Sequence, residues 1–195
     1  MGLKNKILYS AILIIFINSC SFYSFKGSLP PHIDSVAILP IINNSKEYIV
    51  LDVLNAEIYN IFLSENVLKL VSVNDAKSSL EISVVSVTDK PYTFSLQNES
   101  NFYEQVTEWK ITIKAKIDWY DLVQNKLIFS KEMTSTGLYS NNNSNDISDD
   151  GLDNDEDGLI DSEDDDEFGP PRDSALKIAS KKMSEDIISN ITSTW

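Results

Sequence analysis

The sequence predicts an α+β domain: a two-layer sandwich with two helices packed on one face of a mostly antiparallel or mixed sheet of about four strands. Residues 109–119 alternate between apolar and polar side chains, which is typical of a strand with one buried and one solvated face. Residues 47–65 and 174–195 each carry one apolar stripe at three- and four-residue spacing, which indicates amphipathic helices. Two such helices can cover one face of a single sheet.

The first half of this domain is predicted to contain a strand, a helix and a second short strand. Residues 35–39 form an apolar run that Pro40 stops, which favours a buried strand, and residues 43–45 (Asn-Asn-Ser) are typical of a turn. The helix over 47–65 ends at Asn66, and residues 67–71 favour a short strand. The helical stripe consists of Leu51, Leu54, Ile58, Ile61 and Phe62.

The second half is predicted to begin with a strand over 80–88. Its apolar phase switches at Val84, which predicts a β-bulge there. Residues 90–104 are polar with scattered aromatic side chains, and we expect them to form a loop or hairpin tip.

The remaining elements follow from the alternating strand onward. Trp109 and Trp119 lie in its apolar phase, so we expect them in the core. Asn125 marks a turn, residues 127–138 predict another strand, and Asp173 is the expected N-cap of the last helix. The stripe of that helix consists of Leu176, Ala179, Met183, Ile187, Ile191 and Trp195.

The first twenty residues have the pattern of a lipoprotein export signal. Lys4 and Lys6 precede an apolar run over 7–17, and the small residue Ser19 precedes Cys20, the single cysteine. We therefore expect cleavage before Cys20 and a covalent lipid on its sulfur, since a thiolate is the strong nucleophile available there. The run is shorter than the roughly 20 apolar residues of a membrane-spanning helix. The alternatives are an ordinary secretory signal and an uncleaved anchor.

These features predict a signal peptide over 1–19, a tether over 20–34 and a single domain over 35–195 with an insertion at 141–172. Ser21 rather than an aspartate follows the cysteine, which favours the outer membrane of a Gram-negative envelope. Several acyl chains on one residue give stable anchoring, which a single chain does not.

The acidity of the chain is local. The formal net charge is −14, but residues 146–167 hold thirteen of the thirty acidic residues and contain no lysine or arginine. The rest of the chain is nearly neutral, and it lacks the basic footprint that nucleic-acid binding requires.

The acidic insertion resembles a calcium-binding loop. Asp153, Asp155 and Asp157 take positions 1, 3 and 5 of a twelve-residue loop, and Gly158 allows the sharp turn at position 6. The remaining predicted oxygen donors are the Leu159 carbonyl, Asp161 and Asp164. Asp164 replaces the usual bidentate glutamate and no helices flank the loop, so we expect weak binding of Ca²⁺ with a Kd on the order of 10⁻⁴ to 10⁻³ M. The alternative is a solvated acidic insertion without a bound ion.

No catalytic constellation is evident. His32 is the single histidine and has no second group at a suggestive spacing, so we expect the protein not to be an enzyme. Lys110, Lys114 and Lys116 share the solvated face of the alternating strand. Three amines on one sheet face could bind the phosphates of an anionic glycolipid, and the alternative is a set of solubilising lysines.

Four short segments stand in the order of a known family. They are residues 20–27 (CSFYSFKG), 28–38 (SLPPHIDSVAI), 43–45 (NNS) and 187–191 (IISNI), the last followed by Trp195. This order resembles the LptE-type lipopolysaccharide-assembly lipoproteins, in the form found in Bacteroidetes-like bacteria. The resemblance implies an outer-membrane lipid anchor and a sheet with two helices on one side. It also implies a non-enzymatic protein that plugs the LptD-type β-barrel, helps it assemble and contacts lipopolysaccharide.

Two other functions fit the same sequence. One is a different cell-envelope scaffold or secretion lipoprotein, because the strand and proline over 35–40 suit both families. The other is a calcium-dependent surface adhesion module, which the acidic loop alone suggests.

Overall fold

The computed structural model describes residues 29–97, 103–140, 158 and 170–193. The strands are β1 (Ser35–Ile38), β2 (Ile42–Asn43), β3 (Lys69–Leu70), β4 (Ser78–Gln97), β5 (Tyr103–Asp121) and β6 (Lys126–Tyr139). The helices are α1 (Ile49–Glu65) and α2 (Pro171–Ser193). The predicted α+β class with two helices is confirmed, although the sheet has six strands among the described residues rather than about four, because β2 and β3 are only two residues long.

The sheet is mixed, in the order β3-β1-β4-β5-β6 with β2 also paired to β4. β1 runs parallel to both β3 and β4, while β4, β5 and β6 form an antiparallel meander. The short parallel strands lie on one side of the long β4–β5 hairpin, and β6 forms the opposite edge.

Helix α1 matches the predicted helix closely and ends where Asn66 adopts a left-handed conformation, with φ of 47°. The backbone N–H of Asn66 donates to the carbonyl oxygen of Phe62 at 3.2 Å, which satisfies one of the free carbonyls of the last turn. Four residues of the helix are buried, namely Val50, Leu54, Ile58 and Phe62.

Helix α2 begins earlier than predicted. Asp173 is not its N-cap, because Pro171 already occupies the first helical position, where its missing N–H costs no hydrogen bond. The carbonyl of Pro170 accepts from the N–H groups of Asp173 and Ser174, at 2.8 and 3.1 Å. Asp173 lies in the first turn instead, where a carboxylate suits the helix dipole.

The segment 90–104, predicted as a loop or hairpin tip, is the end of the β4–β5 hairpin, and the loop alternative is wrong. β4 continues to Gln97 and β5 begins at Tyr103, so most of this segment is a two-stranded ribbon. Register shifts near Pro91 and Thr93 break the two-residue alternation that would have revealed the strands. The bulge predicted near Val84 is confirmed by the shift between Val84 and Ser86, and the turn at Asn125 by its φ of 50°.

One core fills the space between the sheet and the helices. Alternate residues of β4 and β5 supply the sheet side, and the apolar stripes of α1 and α2 supply the other. Trp119 is fully buried as predicted, whereas Trp109 is only partly buried against the core. The fully buried sheet residues with large side chains are Leu80, Ile82, Ile111, Ile113, Ile117 and Trp119.

Helix α2 approaches β6 very closely at Gly137. A Cβ atom at this position would overlap the carbonyl oxygen of Ala175. Ser135 on the same strand donates from its hydroxyl to the carbonyl of Ala179 at 2.7 Å. These contacts fix the height of the helix over the sheet. None of the helices in the described part of the chain has the length and apolar character needed to cross a bilayer.

Candidate binding site

The end of the tether is fixed to the body by a histidine–aspartate pair. His32 follows Pro30 and Pro31, and its Nε2 lies 2.6 Å from Oδ2 of Asp121, the last residue of β5. An ionised carboxylate only accepts hydrogen bonds, so the imidazole is the donor. The structure therefore gives His32 a partner that no spacing in the sequence indicated.

Asp121 is held rigidly from its other side. Its Oδ1 accepts from the backbone N–H groups of Val123 and Gln124, at 2.8 and 2.9 Å, and the residue is only 4% exposed. Burial alone would raise the pKa of Asp121, but the amides of the β5–β6 turn and the His32 imidazole outweigh burial and lower that pKa below its usual value. The carboxylate is thus ionised and its hydrogen-bonding capacity is taken up.

A cavity of about 510 Å³ lies beside this pair. The tether residues form one wall, and the β5–β6 turn with the start of β6 forms the other. Its lining residues are Leu29, Pro30, Pro31, His32, Asp121, Gln124, Lys126 and Ile128. The volume is in the range of sites that hold a small molecule.

Of the two paired residues, only Asp121 has a sequence pattern that indicates its role. Asp121 closes a strongly alternating strand before a turn, where an aspartate often binds the following backbone amides. Its pairing with His32 joins residues 89 positions apart, and no spacing rule predicts such a contact.

The three predicted lysines lie on the face of the sheet opposite the helices, and each has a partner. Lys114 pairs with Glu132 on β6 at 2.8 Å, and Lys116 pairs with Asp118 at 2.7 Å. The Lys110 ammonium lies 4.5 Å from the centre of the Tyr92 ring. Ion pairs of this kind contribute little to stability, so an anionic ligand could replace the carboxylates as the partners of Lys114 and Lys116.

A second polar cluster joins the two ends of the acidic insertion. Arg172 at the start of α2 donates to Glu47 at 2.7 Å and to Asp89 on β4 at 3.0 Å. The Tyr139 hydroxyl at the end of β6 donates to the other oxygen of Asp89, also at 3.0 Å. Burial and the Asp89 carboxylate raise the pKa of Tyr139 to about 12. Through Asp89, the cluster links the end of β6, which precedes the insertion, to the start of α2, which follows it.

Most of the remaining predicted site residues lie outside the described part of the chain. These are Cys20, the calcium donors Asp153, Asp155, Asp157, Leu159, Asp161 and Asp164, and the terminal Trp195. Gly158 is described and has φ of +98°, a conformation that favours glycine. Among the described residues, no three histidine, cysteine, aspartate or glutamate side chains are grouped as metal ligands would be.

Comparison with known proteins gives a shared fold. No protein-family model matches the chain, and no curated protein sequence matches it. The solved structure of protein XCC0632 from Xanthomonas campestris, described as DUF330, matches with a TM-score of 0.51 and 9% identity, over 86% of this chain and 88% of that one.

Two further structures with weaker similarity carry lipoprotein names. Uncharacterized lipoprotein B from Nitrosomonas europaea has a TM-score of 0.48 and 14% identity, over 84% of each chain. The minor lipoprotein from Acinetobacter baumannii has a TM-score of 0.44 and 12% identity, over 82% of this chain and 93% of that one. The match to XCC0632 alone shows that the chain shares the α+β fold of that DUF330 protein.

Proposed function

We propose that this protein is a lipid-anchored lipoprotein of the bacterial cell envelope that acts by binding a partner rather than by catalysis. The basic start, the apolar run and Ser19-Cys20 support cleavage and acylation at Cys20. The His32–Asp121 pair holds the end of the tether against the end of β5.

The partner that the molecule fits best is an LptD-type outer-membrane barrel. Both helices pack on one face of the sheet, and no other element among the described residues covers the opposite face of β4–β6, which carries Lys110, Lys114 and Lys116. This one-sided packing carries the proposal, because it leaves a broad rigid surface for a barrel wall. The proposed role is to plug and help assemble the barrel and to assist the passage of lipopolysaccharide to the outer leaflet.

Purification from native membranes tests this role. The acylated protein, tagged at its C-terminus and extracted in mild detergent, is expected to bring down a large outer-membrane β-barrel at a one-to-one ratio. The Lys110→Glu, Lys114→Glu double variant is expected to co-purify with the barrel as the parent protein does. It is expected to form fewer cross-links to lipopolysaccharide. The matched control is Lys46→Glu, Lys182→Glu, since these exposed lysines lie outside the β4–β6 face. Recovery without any barrel would contradict the proposal.

A different envelope scaffold is the second candidate, and the projecting ribbon favours it. Beyond Val84, β4 pairs only with β5, and the ribbon exposes Tyr92 and Phe94, which are 48% and 56% accessible. Exposed aromatic side chains on a projecting element suit a protein partner. The same membrane purification would then recover soluble or ring-forming partners in place of a barrel.

We also propose that the insertion binds Ca²⁺ and becomes ordered on binding. The positive φ of Gly158 supports the sharp turn that position 6 of the loop requires. NMR titration should show amide shifts within 150–165 at millimolar Ca²⁺, and Asp155→Asn should weaken them. Mg²⁺ at the same concentration is the control, and equal responses to both ions would indicate a solvated acidic segment instead.

A further inference from the structure

We propose that the cavity between the tether and the β5–β6 turn binds one anionic single-chain amphiphile, an alkyl chain that ends in a carboxylate or phosphate. This site is separate from the open sheet face, and the inference does not depend on the barrel or on lipopolysaccharide as partners. Three properties of the cavity lead to this ligand class: its walls, its free hydrogen-bonding groups and its place along the chain.

The walls of the cavity are aliphatic. Leu29, Pro30, Pro31 and Ile128 supply them, and the His32 imidazole is the single aromatic ring among the described lining residues. Such walls suit a flexible hydrocarbon chain, which gains roughly 0.8 kcal/mol for each buried methylene group. The volume of about 510 Å³ limits the occupant to one small molecule or chain, so a glycolipid with many acyl chains does not fit.

The free polar groups of the cavity are donors. Asp121 is the one carboxylate in the lining, and its oxygens already accept from His32, Val123 and Gln124. Lys126 is exposed and makes no ion pair with the described residues. Its ammonium and the side-chain amide of Gln124 can both donate. One unpaired cation with donors around it selects a negatively charged headgroup.

The cavity also lies close to the predicted anchor. Leu29 follows Cys20 by nine residues, which span at most about 30 Å when fully extended. If Cys20 carries its lipid, the cavity is within reach of the membrane surface, where single-chain amphiphiles are found. This point rests on the proposed acylation, whereas the first two rest on the cavity alone.

Calorimetric titration tests the proposal with the mature chain, residues 20–195, carrying Cys20→Ser so that no attached acyl group competes. Sodium laurate below its critical micelle concentration is the probe, and dodecyltrimethylammonium, with the same chain and the opposite charge, is the control ligand. We expect a single laurate site that is about tenfold tighter than any dodecyltrimethylammonium site, since a charge-assisted hydrogen bond is worth about that factor.

Variants separate binding in the cavity from binding elsewhere. Lys126→Gln should weaken laurate about tenfold, while Lys90→Gln, on the distal part of β4, should leave it unchanged. Ile128→Trp, which fills the cavity, should abolish laurate binding. Because His32 is the single histidine, its imidazole NMR signals should shift on laurate addition and not on dodecyltrimethylammonium addition.

Three results would overturn the proposal. The first is equal affinity for the two amphiphiles, and the second is laurate binding that survives Lys126→Gln and Ile128→Trp together. The third is a set of NMR contacts showing that residues 21–28 of the tether already fill the cavity and that laurate does not displace them.

Discussion

Asp121 is a buried carboxylate whose hydrogen-bond donors come from two distant parts of the chain. The turn after β5 supplies two amides, and the tether supplies His32. A buried charge is tolerated only where such partners compensate for its lost hydration. This one residue therefore couples the shape of the β5–β6 turn to the position of the tether.

Replacing this carboxylate should reduce stability in a pH-dependent way. Asp121→Asn should cost about 1.5–3 kcal/mol at neutral pH, since hydrogen bonds to a charged group are lost. Because the pKa of Asp121 is lowered in the folded protein, its contribution is complete above the unfolded pKa of about 3.9 and is lost as the pH falls through the folded pKa. Urea denaturation of both proteins at neutral and acidic pH measures this, and the difference between them should shrink in acid.

Asp34→Asn is the matched control for that experiment. Asp34 pairs with Lys77 near the same tether, but both side chains are largely accessible, at 65% and 44%. Solvent screens such a pair, so its removal should change stability little. A difference between Asp121→Asn and the parent protein that stays constant from neutral to acidic pH would contradict the proposed role of the carboxylate.

At the scale of elements, the parts of the fold differ in how strongly each is supported. β5 is covered by helices on one face and paired on both edges over residues 109–121, whereas the ribbon of 93–97 with 103–108 consists of two strands that pair only with each other among the described residues. Two-stranded ribbons are marginally stable alone. The molecule therefore combines a rigid packed half with a weakly supported projection.

Hydrogen exchange should reveal that contrast. Amides of 93–97 are expected to exchange much faster than those of 111–119, because opening the ribbon exposes little buried surface. Mass spectrometry of peptides from both segments provides the measurement, with the amides of α1 as a protected reference. Equal protection in the ribbon and in the centre of β5 would show that the ribbon is part of the same cooperative unit.

The contact between α2 and β6 gives a second prediction at this scale. Gly137→Ala should destabilise the fold by about 1–3 kcal/mol, since the added methyl group must push the Ala175 backbone away from the sheet. Thr136→Ala, its exposed neighbour on β6, is the control and should change stability by less than about 0.5 kcal/mol. Thermal unfolding of the two variants compares them directly, and similar transition temperatures would contradict the close approach.

The sequence predicted those elements whose apolar pattern is undisturbed. The alternation of 109–119 and the stripes of both helices are regular, so β5, α1 and α2 were predictable. β2 and β3 form because they pair with β4 and β1, respectively. Strands of two residues are too short for a sequence pattern to predict them. The ribbon was missed because bulges shift its phase, and the cavity because its walls come from both ends of the domain.

At the scale of the whole molecule, the features are arranged along one long axis. The tether and the cavity lie at the end where β4 begins and β5 ends, and the ribbon lies at the opposite end of those strands. Twenty residues of β4 span on the order of 60 Å. A protein acylated at Cys20 would thus hold its exposed aromatic tip far from its anchoring end, where a partner can reach it.

Acylation is the step on which this arrangement depends, and intact-mass spectrometry of the protein from native membranes tests it most directly. The account predicts a mature chain that begins at Cys20 and carries the added mass of acyl chains, together with loss of membrane association in Cys20→Ala. A chain that retains Met1, or that begins at Cys20 without added lipid mass, would contradict it.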